Sequence, residues 1–144
     1  MSETSQAAAR KVALADVPAN RRRGGDIRVV LGPKTAGATT GFLGVLTLAP
    51  GEFVSEHYHP YSEEFLYVTS GSMTVVIDGE PVEAAAEEGV LVPINARHRV
   101  VNSSDVPATA VFHLCPLAPE PGLGHVDTEE LPNPDAPHPE IAAR

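Results

Sequence analysis

The apolar segments of this chain are short, and turn residues cut them roughly every 8–12 residues. Residues 27–31 run into Gly32-Pro33, and residues 42–48 stop at Pro50-Gly51. Residues 65–69 end at Ser70-Gly71. Residues 73–77 alternate apolar with polar and meet Asp78-Gly79, a strong hairpin signal. Residues 90–92 precede Pro93, residues 99–101 precede a turn around Asn102-Ser103-Ser104-Asp105, and residues 108–115 close the series. Strands of this length and spacing predict an all-β sandwich or barrel. A short helix over residues 81–88 is the one competing local reading.

The ends differ from the middle. Seven of the ten basic residues fall between positions 10 and 34, including Arg21-Arg22-Arg23. Eight of the 14 prolines lie between Pro107 and Pro139, and from Glu120 onward six acids face a single basic residue, Arg144. The expected organisation is a disordered N-terminus at residues 1–10, one β-barrel domain at 11–117, and a proline-rich acidic extension at 118–144. Prolines bar a helix or central strand from residues 132–139, which read as an extended tail. A length of 144 residues is enough for one domain with its own core.

Charge and cysteine content exclude several functions. A net charge of -9 argues against nucleic-acid binding, which needs a basic footprint. The lone Cys115 rules out an intramolecular disulfide framework and a cysteine-built metal site. No apolar run approaches the ~18 residues of a membrane span, and residues 1–20 lack the apolar stretch of a signal peptide. A cytoplasmic protein with no membrane partner is expected.

His57 and His59 stand two apart, so on a strand both imidazoles share one face. Alone, such a pair is as compatible with two surface histidines as with a metal site. Here it sits in a longer register: Gly51, five residues, His57, one, His59, four, Glu64, six, Gly71. Further on, Pro93 is followed after four residues by His98 and after three more by Asn102. These two stretches resemble the paired motifs of the cupin superfamily. The resemblance implies a small jelly-roll barrel with metal-binding side chains inside it, and carries over His57, His59, Glu64 and His98 as candidate ligands. Glu64 either binds the metal or hydrogen-bonds a metal water and acts as a base. Two positions depart from the pattern: Glu87 stands where the second motif's first glycine would fall, and Asn95 replaces a later one.

His113 interrupts the apolar run of residues 110–115. It reads either as a core histidine bonded to a backbone carbonyl or as a fourth imidazole ligand facing the barrel interior. The second is the expectation, with Glu64 then loosened. His125 and His138 lie in the proline-rich extension; His138 is expected to be solvated.

A longer match narrows the resemblance. It comprises Asn20-Arg21-Arg22-Arg23-Gly24-Gly25-Asp26-Ile27-Arg28, Gly41-Phe42-Leu43-Gly44 and Glu56-His57-Tyr58-His59-Pro60-Tyr61-Ser62-Glu63-Glu64-Phe65, with Pro116-Leu117-Ala118-Pro119 and Gly124-His125-Val126-Asp127-Thr128-Glu129 near the end. Together these resemble the cupin-type aromatic polyketide cyclases of bacterial type II pathways, such as those for tetracenomycin and resistomycin. The resemblance implies aldol closure and aromatisation of a poly-β-ketone, free or carrier-bound, in antibiotic biosynthesis. A divalent metal acts as Lewis acid there, and Glu64 is the candidate base. Zinc suffices because the reaction moves no electrons, while iron, nickel and manganese also suit imidazole donors. Phe42, Val45, Leu66, Val75, Ile77, Val92 and Val111 are candidate wall residues; Tyr61, Arg97 and Arg99 are candidates to orient carbonyls. The triple arginine reads as a solvated cluster or as a dock for an acidic carrier protein. A homodimer is expected. The rival functions are an Fe(II)-dependent cupin oxygenase acting on an aromatic polyketide and a non-catalytic, metal-stabilised binding module.

Overall fold

The computed structural model describes residues 9–138. The disordered segment expected over residues 1–10 falls, apart from its last two positions, outside the described residues. Among the described residues, β1 (Asp26–Leu31), β2 (Phe42–Leu48), β3 (Phe53–Tyr58), β4 (Glu63–Ser70) and β5 (Ser72–Ile77) come first in the chain. They are followed by β6 (Glu80–Ala85), β7 (Gly89–Val92), β8 (His98–Val101), β9 (Ala108–Cys115) and β10 (Val126–Asp127). One single-turn helix, α1 (Pro33–Ala36), follows β1. No helix among the described residues is long and apolar enough to cross a membrane.

All pairings are antiparallel and build two five-stranded sheets, in the orders β1-β2-β9-β4-β7 and β10-β3-β8-β5-β6. Apart from the β1–β2 and β5–β6 pairs, consecutive strands cross between sheets, which gives the jelly-roll sandwich that the turn spacing predicts. Alternation decides the faces: along β2 and β9 every second residue is buried. Leu48, Val68, Met73 and Val75 are fully buried between the sheets. Each such side chain contributes roughly 1.5–3 kcal/mol on burial, so the barrel has a core independent of any bound ion. Gly44 permits close packing: a Cβ there would stand 2.4 Å from the Phe112 ring.

Backbone conformation explains the two motif departures. Glu87 and Asn95 both adopt φ of 71°, the left-handed region that favours glycine, so the glycine-type turns persist after the glycines are gone. Asp78 and Gly79 also have positive φ, 49° and 84°, as a two-residue turn between β5 and β6 requires.

Three expectations need correction. Residues 81–88 do not form a helix; β6 pairs with β5 from Ile77↔Glu80 to Ser72↔Ala85, and its edge position tolerates Pro81. The acidic extension is not a free tail. Val126 and Asp127 add a strand to β3, and residues 133–137 fold back over the segment at 20–22. The triple arginine is not one solvated cluster: only Arg21 stays exposed. Arg23 is buried and paired with Asp127 at 2.7 Å, while Arg22 donates to the carbonyls of Pro134 (2.8 Å) and Ala136 (2.7 Å). Arg21 donates to the Gly25 carbonyl and to Asp26.

Candidate metal centre

Neighbouring strands bring the histidines together. His57 on β3 lies directly opposite His98 on β8, and a register shift between Val54 and His57 turns the His57 ring inward. His59 follows two residues on and is buried beside it. Glu64 comes from the other sheet: along β4 the even positions face the interior, so Glu64 is buried while Glu63 is not. The rings of His57 and His98 are 4.4 Å apart, those of His57 and His59 4.9 Å, and those of His59 and His98 5.1 Å. One donor atom from each of His57, His59, Glu64 and His98 lies within 4.8 Å of the others.

The ring tautomers follow from their partners. His57 Nδ1 meets the Ser55 carbonyl at 2.8 Å, His98 Nδ1 the Ala96 carbonyl at 3.0 Å, and His59 Nδ1 the Gly124 carbonyl at 3.0 Å. A carbonyl only accepts, so each Nδ1 carries the proton and each neutral ring presents a lone pair at Nε2. The Nε2 atoms of His59 and His98 both stand 3.1 Å from Glu64 Oε1. Lone pair against carboxylate is repulsive unless a proton or a cation bridges the two. Separations near 3 Å also match adjacent ligands around a cation with bonds of ~2.0–2.2 Å. The donor set therefore fits a divalent metal, and the backbone carbonyls behind the rings are the outer partners that orient metal-binding imidazoles.

Electrostatics separates the four groups. Burial holds His57 well below the usual imidazole range, and the neighbouring His98 and His59 push it further down. In the metal-free chain, with a proton rather than a cation between Nε2 and Oε1, burial opposes ionisation of Glu64, yet its contacts with His59 and His98 carry it well below the usual carboxylate range. His98 moves the other way: burial lowers it, but pairing with Glu64 prevails and raises it. A carboxylate ionised in an apolar interior needs a counter-charge, which a bridging proton or a bound cation would supply.

His113 is not part of this cluster. Buried positions on β9 are Ala108, Ala110, Phe112 and Leu114, so His113 points to the outside of the sheet, its ring 5.9 Å from Phe65. Val45 and Val111 share that outward parity and leave the wall. The cavity of about 80 Å³ over the metal centre is lined instead by Ile27, Val29, Phe42, Leu46, Phe112 and Leu114, among others. Arg97 and Tyr61 are exposed and outside that lining, and Arg99 pairs with Glu129 at 2.9 Å over the Phe53 ring.

Residues 124–129 supply parts that the motifs do not signal. Besides the Gly124 carbonyl on His59, His125 lines the cavity, with its pKa lowered to about 4 by burial and by the nearby Arg23. Thr128 bonds the β3 residue Glu56 through both backbone and side chain. Only Arg23 and Asp127, an opposite-charge pair far apart in sequence, carry a trace of this closure.

Two antiparallel sheets closed around three imidazoles and a carboxylate define a double-stranded β-helix whose interior residues are positioned to bind a metal ion. The cupin domain model matches residues 44–114, and the chain belongs to the cupin family. It is 61% identical over 122 residues to protein SchB of Streptomyces halstedii, covering 85% of this chain and 88% of that one. It is 49% identical over 139 residues to the tetracenomycin polyketide synthase protein TcmJ of Streptomyces glaucescens, covering 96% of this chain and 93% of that one. Among solved structures, the polyketide cyclase RemF of Streptomyces resistomycificus superposes with a TM-score of 0.69, covering 88% of this chain and 90% of that one. At 19% identity this is a likeness of fold.

Proposed function

We propose that the protein is a metal-dependent polyketide cyclase that directs regiospecific aldol closure and aromatisation of a poly-β-ketone. The observation that carries this reading is the convergence of His57, His59 and His98 with the Glu64 carboxylate, its Oε1 on two imidazole Nε2 atoms, at an apolar cavity. Similarity over nearly the full length to a tetracenomycin polyketide synthase protein, and a fold shared with a polyketide cyclase, support the substrate class.

The residues divide the work. His57, His59 and His98 hold the ion, with Glu64 as ligand or as carboxylate beside it; zinc suits these nitrogen and oxygen donors without redox activity. When bound, such an ion supplies Lewis acidity to a ketone oxygen. The imidazole contacts fall on Glu64 Oε1, which leaves Oε2 to take a proton from the CH₂ between two carbonyls. The carbanion attacks a second ketone carbon, one C–C bond forms, and the Glu64 carboxyl returns its proton to the new alkoxide. Glu64 then takes the second proton of the same carbon and passes it to the departing hydroxyl, so that a C=C bond forms and water leaves. The apolar wall keeps bulk water from quenching the carbanion and holds one fold of the chain near its attack geometry.

The protein works in the cytoplasm, on a chain delivered free or by a carrier protein, and as a homodimer. Support for the dimer comes from the outer face of the β1–β7 sheet, where Phe65, Tyr67 and Leu91 are each nearly half exposed. Sedimentation velocity of the purified protein at the monomer value would refute it.

The deciding experiment is reconstitution with a minimal polyketide synthase, in air and under nitrogen, with products read by mass spectrometry. One regiospecific ring product, formed equally in both atmospheres, is expected. Glu64→Gln should slow closure more than it weakens chain binding. A product carrying new oxygen, made only in air, would favour the Fe(II) oxygenase. Full metal occupancy with no product from any chain would favour a binding module.

A further inference from the structure

The cavity over the metal centre, at about 80 Å³, is far smaller than the ~300 Å³ at which pockets for drug-sized ligands begin. It can take the reacting end of a long chain and no more. A second cavity of about 360 Å³ adjoins it, and Asn20, Ile27 and Val29 line both. The sheet order explains the contact. β1 and β10 are the outer strands of their sheets, Ile27 and Val29 lie on β1, and Arg23 and His125 line the inner cavity near the β10 side. The larger cavity lies outside this edge, between residues 17–20, α1 and Pro137-His138.

Its lining suits a chain with carbonyls at regular intervals. Val17, Pro18, Ile27 and Val29 offer apolar contact, and Lys34, Thr35 and His138 also line it. Its roof is tied down: Asn20 Nδ2 donates to the Pro137 carbonyl at 2.9 Å, and Arg22 holds the carbonyls of Pro134 and Ala136. We propose that this outer cavity is the subsite for the distal part of the substrate chain. Asn20, Ile27 and Val29 form the threshold that the chain crosses to reach the metal. The inference rests on the cyclase reading, because a metal-anchored chain longer than the inner cavity must continue somewhere, and the outer cavity shares those three lining side chains with it. The threshold then sets how many ketide units lie beyond the reacting pair, and so which carbons meet.

Zinc-loaded protein and two β-diketone probes test it by isothermal titration calorimetry. Acetylacetone is short enough for the inner cavity alone, whereas decanoylacetone carries an alkyl chain that must leave it. Ala19→Trp fills the outer cavity without touching the inner lining, and Pro18→Trp, at an exposed position, is the second variant if the first folds poorly. In wild type the longer probe should bind more tightly. In the variants acetylacetone affinity should stay unchanged, and decanoylacetone should weaken by about tenfold or more. Decanoylacetone binding retained in both folded variants would overturn the subsite and leave the metal-anchored reading intact. Failure of both probes to bind zinc-loaded wild type would overturn the metal-anchored reading and the subsite with it.

Discussion

His98 shows how single side chains divide between metal and fold. Its Nδ1 is committed to the Ala96 carbonyl, which leaves Nε2 aimed at Glu64 and the centre of the cluster. Replacing His98 or His59 by alanine should strip the metal from purified protein, as read by elemental mass spectrometry. The β-sheet circular dichroism should survive because the aliphatic core is separate, unlike that of a zinc finger. His113→Ala should leave zinc affinity unchanged in chelator competition, since that ring stacks on Phe65 outside the sheet. A metal loss in His113→Ala comparable to that in His98→Ala would contradict the strand parity. That parity was present in the residues all along: Ala108, Ala110, Phe112 and Leu114 form an unbroken apolar series, with Thr109 polar on the other side. Reading residues 110–115 as a continuous buried run hid it.

Among the elements, β10 is the one whose role depends most on position. It contributes only two residues, Val126 and Asp127, paired with Tyr58 and His57 of β3. The pairing brings the Gly124 carbonyl onto His59 Nδ1, and the two-point contact of Arg23 with Asp127 locks it in place. Asp127→Asn keeps the shape and removes the charge. We expect zinc affinity to fall about 10–100-fold, the range for losing an outer partner of a metal-bound imidazole. Thermal stability should fall as well, because buried Arg23 loses its counter-charge. Reduced stability with unchanged zinc affinity would show that the strap only braces the fold. Prolines bar a helix or central strand from residues 132–139, and none forms over the described part of that segment. Upstream of it, Val126 and Asp127 are enough for an edge pairing, which needs no periodic signal to form.

On the scale of the whole molecule, closure of the barrel by the extension makes stability depend on pH. His125 sits half-buried at the inner cavity with a pKa near 4 in the folded chain, against about 6.5 when unfolded. Between those values the unfolded chain binds more protons. Stability from this group is therefore complete above pH ~6.5 and is lost as pH falls toward 4. His57, also lowered, adds in the same direction, while His98, raised by Glu64, opposes it. The melting temperature of metal-free protein should drop as pH falls across this window, and His125→Gln should flatten part of the slope. Parallel pH profiles for wild type and variant would show that the ring is solvated when the chain is folded.

What the residues determined by themselves was local. Strand lengths, the Asp78-Gly79 hairpin and the shared face of His57 and His59 all follow from turn chemistry and the two-residue period of a strand. Glu64 and His98 were legible as partners because their spacing matches a known pair of motifs. Tertiary structure alone decided what depends on long-range pairing. It placed His57 opposite His98, chose which face of β9 turns inward, and brought Gly124 to His59 and Arg22 to Pro134. Such contacts join residues as many as 112 positions apart. They form because the two sheets leave one edge open and the extension can close it, and no local pattern encodes which edge that is.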